Sequence, residues 1–279
     1  MKTIAFYTNA GKPGAEETKT RLAECARRAG LAVADAAPGA GIDFVASLGG
    51  DGTMLAAVHA FPGVPALGLN LGSLGFLAAV ERPLFEKAIA DIAAGRYRIS
   101  MRTMLSAKVV KADGTETALP DALNDVVITR AAAGHAACME VEADGAYVSS
   151  FLADGLVVAT PTGSTAYSLA AGGPVLTPGS ACIVVTPACP HALASRPIVM
   201  PDTAALAVRA VPKSASSPAE RLAVSADGGA PAFLEPGDMV AISKSARKAP
   251  LAELEGHDAY ETLCRKLGWS GRFPGVSAR

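Results

Sequence analysis

The spacing of apolar residues changes character once along the chain, near residue 100. Before that point, short apolar runs alternate with amphipathic stretches. Residues 2–7 read as a first strand, and residues 43–48 form the continuously apolar strand expected in a buried parallel sheet. Between them, residues 16–29 repeat Leu22, Cys25, Ala26 and Ala29 at i, i+3, i+4 and i+7, with Gly30 as the helix stop. A helix from about Thr53 to Ala60, the strand VPALGLN ending at Asn70, and a helix over 83–94 continue the alternation. In the last, Pro83 lies near the start and Gly95 follows the end. The pattern predicts an α/β N-terminal domain over residues 1–100, a Rossmann-like open sheet.

After residue 100 the apolar runs become short and β-rich, at a spacing of roughly ten residues. They are LSAKVVKA, DVVITR, MEVEA, AYVSSFL, LVVAT, CIVVT, IVMP, ALAVRAV, RLAVSA and DMVAISKS, punctuated by Gly, Pro, Asp-Gly and Ser turns. They predict a C-terminal β-rich, sandwich-like domain over 101–250, with KSASSP (213–218) as an exposed hairpin loop. A helical tail over 251–279 follows, where Leu263, Lys266 and Leu267 succeed Tyr260 at helical spacing and return it to the body.

Composition narrows the class. The chain has 279 residues, 50% of them hydrophobic, and a formal net charge of -1. It can bury a sizeable core and carries no electrostatic footprint for nucleic acid. No apolar run reaches the roughly 18–20 residues of a membrane span, and the first apolar stretch is too short and too alternating for a signal peptide. The five cysteines, Cys25, Cys138, Cys182, Cys189 and Cys264, form no CxxC and are read as core residues of a reduced, cytoplasmic chain.

Three segments carry chemistry. SLGGDGTML (47–55) places three glycines and Asp51 at the carboxyl end of a strand, before a helix. Open α/β sheets hold ligands there, glycines allow a ligand to approach the backbone, and helix-start N–H groups receive phosphate oxygens. Asp51 could orient or deprotonate a hydroxyl or share a metal; the plainer alternative makes Asp51 or Thr53 a helix N-cap. In ADGLVVATPTGSTAYSLAAGGPV (153–175), a strand enters a loop of hydroxyls and TAYSLAA reads as a helix. Asp154 there could bind a polar ligand edge and Tyr167 a ring, or Asp154-Gly155 is a hairpin turn before a capped helix. ALNDVVI (122–128) sets Asn124 and Asp125 before a strand, a pair suited to a ribose diol or to an Asx turn. GLNLGSLG (68–75) only loosely matches a dinucleotide fingerprint, and no GxxxxGK[ST] occurs.

GGDGTML (49–55), NLGSLGFL (70–77), ALNDVVI (122–128), DGLVVATPTGSTAYSLAAGGPV (154–175) and TPACPHALASRPIVM (186–200) stand in the order found in NAD kinases. The chain resembles that family over roughly residues 42–240, and LCRKLGWS in the tail extends the likeness. The long TPTGSTAY run is specific; GGDGT alone is shared with diacylglycerol kinases and phosphofructokinases. The resemblance implies an NAD kinase-like two-domain fold in a cytoplasmic homodimer or homotetramer. It implies transfer of the γ-phosphoryl group of ATP to the 2′-hydroxyl of the adenosine ribose of NAD, with Mg²⁺ or another divalent cation. Neither nucleic acid nor membrane is a partner, and no metal ligand is assigned.

By the same resemblance Asp51 is the catalytic aspartate and Gly52 admits the substrate. Phe76 lines the adenine side, and Asn124 and Asp125 meet the NAD ribose. Asp154, Thr165, Ala166, Tyr167, Ser168, Leu169 and Ala170 form the dinucleotide-binding segment. Two positions depart from the family pattern: Asp125 stands where Glu is usual, and Leu152 where many members carry a cation. His59 is a candidate phosphate contact and His191 reads as structural; Asp227-Gly228 reads as a hairpin turn, and the resemblance implies a family site in that region. The competing readings are a lipid or sugar kinase with the same GGDGT loop, and a catalytically silent dinucleotide sensor.

Overall fold

Two units make up the chain, and one of them is discontinuous: Met1–Met101 with Ala249–Arg279, and Arg102–Lys248. The computed structural model describes residues 1–8, 12–37, 39, 41–72, 74–78, 80–132, 135–213, 219–256 and 258–269. Most of the KSASSP segment, at 214–218, therefore lies outside the described residues.

The first unit begins with β1 (Thr3–Thr8), α1 (Ala15–Arg28), β2 (Ala32–Ala34), β3 (Phe44–Gly49), α2 (Asp51–Ala60), β4 (Ala66–Asn70), β5 (Val80–Glu81) and α3 (Phe85–Ala94). The strands pair in parallel in the order β2-β1-β3-β4-β5. All six residues of β3 are buried, because a central parallel strand is covered on both faces. Phe44, Ala46 and Leu48 face one way, into a cluster with Leu22 and Ala26 of α1 and Phe85, Ile89 and Ile92 of α3. Ser47 faces the other way and donates to Met54 Sδ of α2 at 3.2 Å. The strand order reverses at β1, which has β2 on one side and β3 on the other. The carboxyl ends of β1 and β3 thus flank the crevice where such sheets bind ligands.

The second unit takes in most of β6 (Tyr97–Val110), then β7 (Glu116–Ala118), β8 (Asp125–Arg130), β9 (Ala137–Ala143), β10 (Ala146–Ala153) and β11 (Gly155–Ala159). It continues through α4 (Tyr167–Ala170), β12 (Cys182–Ala188), β13 (Ile198–Pro201), β14 (Leu206–Val211), β15 (Leu222–Ala226), β16 (Ala232–Leu234) and most of β17 (Met239–Leu254). One antiparallel sheet runs β13-β12-β11-β8-β15-β16, and the other contains β10-β9-β14-β17. Burial alternates along β9, β14 and β15, and the inward residues of both sheets share one core that includes Val126, Leu156, Val141, Val208 and Val240.

Four local readings are corrected. Asp154-Gly155 is no hairpin turn: β10 belongs to one sheet and β11 to the other, and the chain crosses between them there. TAYSLAA is no full helix but a 3₁₀ turn (Gly163–Thr165) followed by the single turn of α4. α2 begins at Asp51, so neither Asp51 nor Thr53 caps it; Gly50 stands at the cap without a side-chain bond. The cysteines are free but not core residues: Cys25, Cys138 and Cys182 are half-buried, Cys189 and Cys264 exposed. Cys138, for instance, occupies an outward position in the alternation of β9.

At its far end β17 re-enters the first unit, where Leu251 pairs with Ala66 of β4. α5 (Ala259–Leu267) follows, capped by the Asp258 carboxylate on the Tyr260 N–H and anchored by buried Leu263 and by Arg265 on Glu81 at 3.0 Å. Among the described residues no helix is long and apolar enough to cross a membrane.

Asp91 closes the end of α3. Its buried carboxylate accepts from Lys87 Nζ at 2.6 Å and from Arg96 Nη2 at 2.6 Å and Nε at 2.9 Å. Asp91→Ala leaves both cations without their acceptor and is expected to lower stability by about 1–3 kcal/mol. Urea unfolding is expected to show a lower midpoint at an unchanged slope.

Candidate functional site

The site residues fall into two clusters, one in each unit. In the first unit, the chain leaves buried β3 and turns directly into α2, which puts Asp51 in the first helical turn. Its carboxylate points back to the loop after β4. Phe76 N–H donates to Oδ2 at 2.9 Å, and Leu77 and Ala78 N–H donate to Oδ1 at 3.0 and 2.9 Å. Gly75 is required by this approach, since a Cβ there would run into Asp51 Oδ1. Asn70 shapes the same loop from the end of β4: its Oδ1 accepts from Gly72 N–H at 2.7 Å and its Nδ2 donates to the Ala78 carbonyl at 3.1 Å. A carboxylate offers about four lone-pair sites. Among the described residues two on Oδ1 and one on Oδ2 are engaged, which leaves one on Oδ2.

Next to Asp51, Gly52 leaves its side-chain position empty among the described residues: a Cβ built there meets nothing within 4 Å. Lys12, just past the carboxyl end of β1, holds Nζ 3.4 Å from the Cβ position of Gly50. Phe76 is half-buried, and Lys266 Nζ of α5 lies 5.3 Å from its ring centroid. His59 sits eight residues along α2, about 12 Å from Asp51 along the axis, which removes it from the phosphate-facing end.

In the second unit, Asp125 opens β8 and Asn124 immediately precedes it. Three successive amides at this point, Leu123, Asn124 and Asp125, donate to the carboxylate of Asp227 at 2.7, 2.8 and 3.1 Å. Asp227 N–H returns a bond to the Asp125 carbonyl at 3.0 Å. Asn124 is only 8% exposed, and its Oδ1 is buried with no hydrogen-bond partner among the described residues. Asp125 is buried as well. Desolvation, and then the like charge of Asp227, push its carboxyl up to about 7, against a smaller opposing effect of the Tyr167 backbone N–H bonded to it.

Three of the four hydroxyls of TPTGST, those of Thr160, Ser164 and Thr165, bond to backbone groups. Thr160 Oγ donates to the Leu123 carbonyl at 2.6 Å and accepts from Gly163 N–H at 3.1 Å. Ser164 Oγ donates to the Pro161 carbonyl and accepts from Leu176 N–H, and Thr165 Oγ donates to the Thr162 carbonyl. Gly163 packs so tightly on the Asn124 backbone that a Cβ there would overlap it. Ser168 pairs with Thr186 at 2.8 Å in the interior, whereas Tyr167 is 46% exposed and Ala170 is exposed. Ala166 and Leu169 are half-buried beside them.

The structure therefore brings Asn124, Asp125, Gly163 and Tyr167 together. It does not bring Asp154 to them. Asp125 pairs with Ala159 and Thr129 with Gly155, so Asp154 lies beyond the opposite end of β11, about 14 Å or more away. There Asp154 pairs with Arg130 Nε at 3.0 Å. Leu152 is half-buried and His191 is exposed, its backbone N–H on the Leu152 carbonyl. One residue escaped the sequence reading, Lys12, a lone cation in a Gly/Pro turn; Asp227 reads in sequence as the start of an Asp-Gly turn in a region where the family has a site, without its contacts. Among the described residues no three His, Cys, Asp or Glu side chains converge as a metal cluster.

Residues 14–97 match the family model of the ATP-NAD kinase N-terminal domain, and residues 123–254 that of the ATP-NAD kinase C-terminal domain. The chain is 42% identical over 233 residues to the NAD kinase of Syntrophotalea carbinolica, covering 83% of this chain and 80% of that protein. It is 44% identical over 228 residues to the NAD kinase of Symbiobacterium thermophilum, covering 81% and 78%. In three dimensions it resembles yeast NADH kinase complexed with NADH (TM-score 0.85, 23% identity, 99% of this chain and 90% of that one). It also resembles an NAD kinase from Archaeoglobus fulgidus in complex with ATP (TM-score 0.77, 24% identity, 96% and 99%).

The raised carboxyl of Asp125 has a pH consequence. The folded chain holds its proton more tightly than the unfolded chain, so the stability this group contributes is complete below about pH 4 and is lost as pH rises to about 7. Asp125→Asn is expected to remove that decline. Urea midpoints of the variant and the parent should diverge in the variant's favour between pH 4 and 7 and run parallel above pH 7.

Proposed function

The chain belongs to the NAD kinase family, and on that premise we propose how its own residues carry the reaction. The activity is that of an NAD kinase: ATP gives its γ-phosphoryl group to the 2′-hydroxyl of the adenosine ribose of NAD, and NADP and ADP result. The lipid or sugar kinase and the silent sensor are not favoured by relatives of this identity.

Asp51 acts as the general base. The observation that carries this role is the three-amide grip on its carboxylate. The grip fixes the group in place and leaves one lone pair on Oδ2 for a hydroxyl proton. As the ribose oxygen bonds to the γ-phosphorus, its proton passes to Asp51, the bond from the γ-phosphorus to the bridging oxygen breaks, and ADP leaves. The open face of Gly52 lets the reacting groups come close to the backbone. Lys12 and the N–H groups at the start of α2 receive phosphate charge. Phosphoryl transfer depends on such positioning and neutralisation more than on covalent help from the protein.

Asn124 and Asp125 hold the ribose diol. A buried acceptor without a donor, Asn124 Oδ1, supports this assignment, since a hydroxyl supplies the missing proton. Ionised Asp125 accepts the other hydroxyl. Tyr167, half-exposed beside Asp125, offers a ring face to the base, and Thr165 through Ala170 complete the segment against the dinucleotide, with Phe76 on the adenine side and Asp154 at a remote polar edge. A divalent cation would arrive as part of the ATP complex, since Mg²⁺ keeps phosphate and water ligands and needs few from the protein; no protein ligand is assigned to it, the free lone pair of Asp51 being given to the hydroxyl proton. The cation's chemistry there would be to neutralise phosphate charge during the transfer. The family resemblance further supports a cytoplasmic homodimer or homotetramer, which light scattering on the purified protein tests.

Asp51→Asn keeps the size of the side chain and removes its basicity. Turnover, read as NADP formed from ATP, Mg²⁺ and NAD through an NADP-specific dehydrogenase, is expected to fall at least about a hundredfold. Calorimetry should still show NAD binding. Full activity in this variant removes the assigned role.

A further inference from the structure

We propose that Asp227 is a positioning residue for NAD: its carboxylate fixes the backbone of 123–125, and with it the direction and charge of the Asn124–Asp125 pair. This rests on the reading that the pair holds the ribose diol.

The geometry is a reciprocal clamp. Oδ2 accepts from Leu123 N–H, Oδ1 accepts from Asn124 and Asp125 N–H, and the Asp227 N–H donates to the Asp125 carbonyl. Asp227 comes from the turn between β15 and β16, so a hairpin remote in sequence sets the start of β8. It does so from a left-handed backbone conformation (φ 48°), which Asn, Asp and Gly tolerate and other residues resist. Without the clamp, the first residues of β8 would have three amides to satisfy, and the side chains of Asn124 and Asp125 would lose a fixed origin. The remaining contacts hold the pair from the other side: Thr160 N–H on the Asn124 carbonyl at 2.9 Å, and the Tyr167 N–H on the Asp125 carboxylate.

The clamp also sets charge. Of the elements around Asp125, β11 brings Ala159 and α4 the Tyr167 backbone N–H; the turn brings the Asp227 carboxylate, which opposes ionisation of Asp125. NAD binding requires the ionised form of Asp125 to accept a hydroxyl. The KM for NAD is therefore low above about pH 7 and climbs as pH falls below it. Removing the Asp227 charge lets Asp125 ionise at lower pH and moves that climb to lower pH.

The test compares Asp227→Asn and Asp227→Gly with the parent enzyme, reading the KM for NAD and for ATP from pH 5.5 to 8.5. Both substitutions suit the left-handed backbone, so the fold is retained and is checked by thermal unfolding. The Asn variant keeps an oxygen for two of the three amides; the Gly variant keeps none. Expected are a rise of about tenfold in the KM for NAD at pH 8 for Asn and a larger rise for Gly, with the KM for ATP within about twofold. In the Asn variant the pH at which the KM for NAD begins to climb should drop. A folded Gly variant with an unchanged KM for NAD, or an Asn variant with an unmoved pH profile, overturns the proposal. Asn124→Ala and Asp125→Ala separate the two levels. If they raise the KM for NAD and Asp227→Gly does not, the ribose reading stands and the positioning role falls. If they leave it unchanged, the ribose reading itself fails.

Discussion

Three main-chain amides converging on one carboxylate define the candidate site of the first unit. Asp51 belongs to the helix that follows β3, while Phe76, Leu77 and Ala78 belong to the loop that follows β4. The parallel register of β3 and β4 sets Gly49 opposite Asn70, so the two carboxyl ends meet at the same level. Asn70 then bends the loop, and Gly75 leaves room for the carboxylate. The sheet creates the position, the loop supplies the donors, and the glycine admits the side chain. A free carboxylate on a helix turn would sample many directions; this one is fixed in orientation with one lone pair open.

The second unit repeats the device with the roles exchanged. There the gripped carboxylate, Asp227, is the support, and two of the residues bearing the amides, Asn124 and Asp125, are the pair proposed to hold the ribose. In both units an Asp bonded to three consecutive N–H groups joins segments distant in sequence. Bonds of this kind are stronger than neutral ones because the acceptor is charged, and each sits where a loop would otherwise have unsatisfied amides.

Most of the architecture could be read from the chain. Continuous burial of β3 and alternation in β14 and β15 are direct consequences of which faces the two kinds of sheet cover, and the apolar pattern records it. Sequence misjudged features that depend on contacts between distant segments. The strand crossing at Asp154-Gly155 looks locally like a turn, because an Asp-Gly pair has the same backbone freedom in either setting. The hydroxyls of TPTGST look available, yet Thr160 donates to the Leu123 carbonyl and Ser164 to the Pro161 carbonyl. Asp227 reads as a turn residue and is one; its second role arises from the strand pairing that brings residue 226 beside 126. Asp51 was legible by motif, but its partners at 76–78 were not, since nothing in NLGSLGFL marks those amides as donors.

The central claim is that the loop after β4 aims the Asp51 carboxylate at the ribose hydroxyl. The most direct measurement is the turnover of Gly75→Ala, which keeps Asp51 and adds one methyl group where its Oδ1 lies. The account predicts a turnover lowered by orders of magnitude while calorimetry still shows NAD and ATP bound. Turnover equal to that of the parent enzyme, with Asp51 unmoved in a crystal structure of the variant, would contradict it.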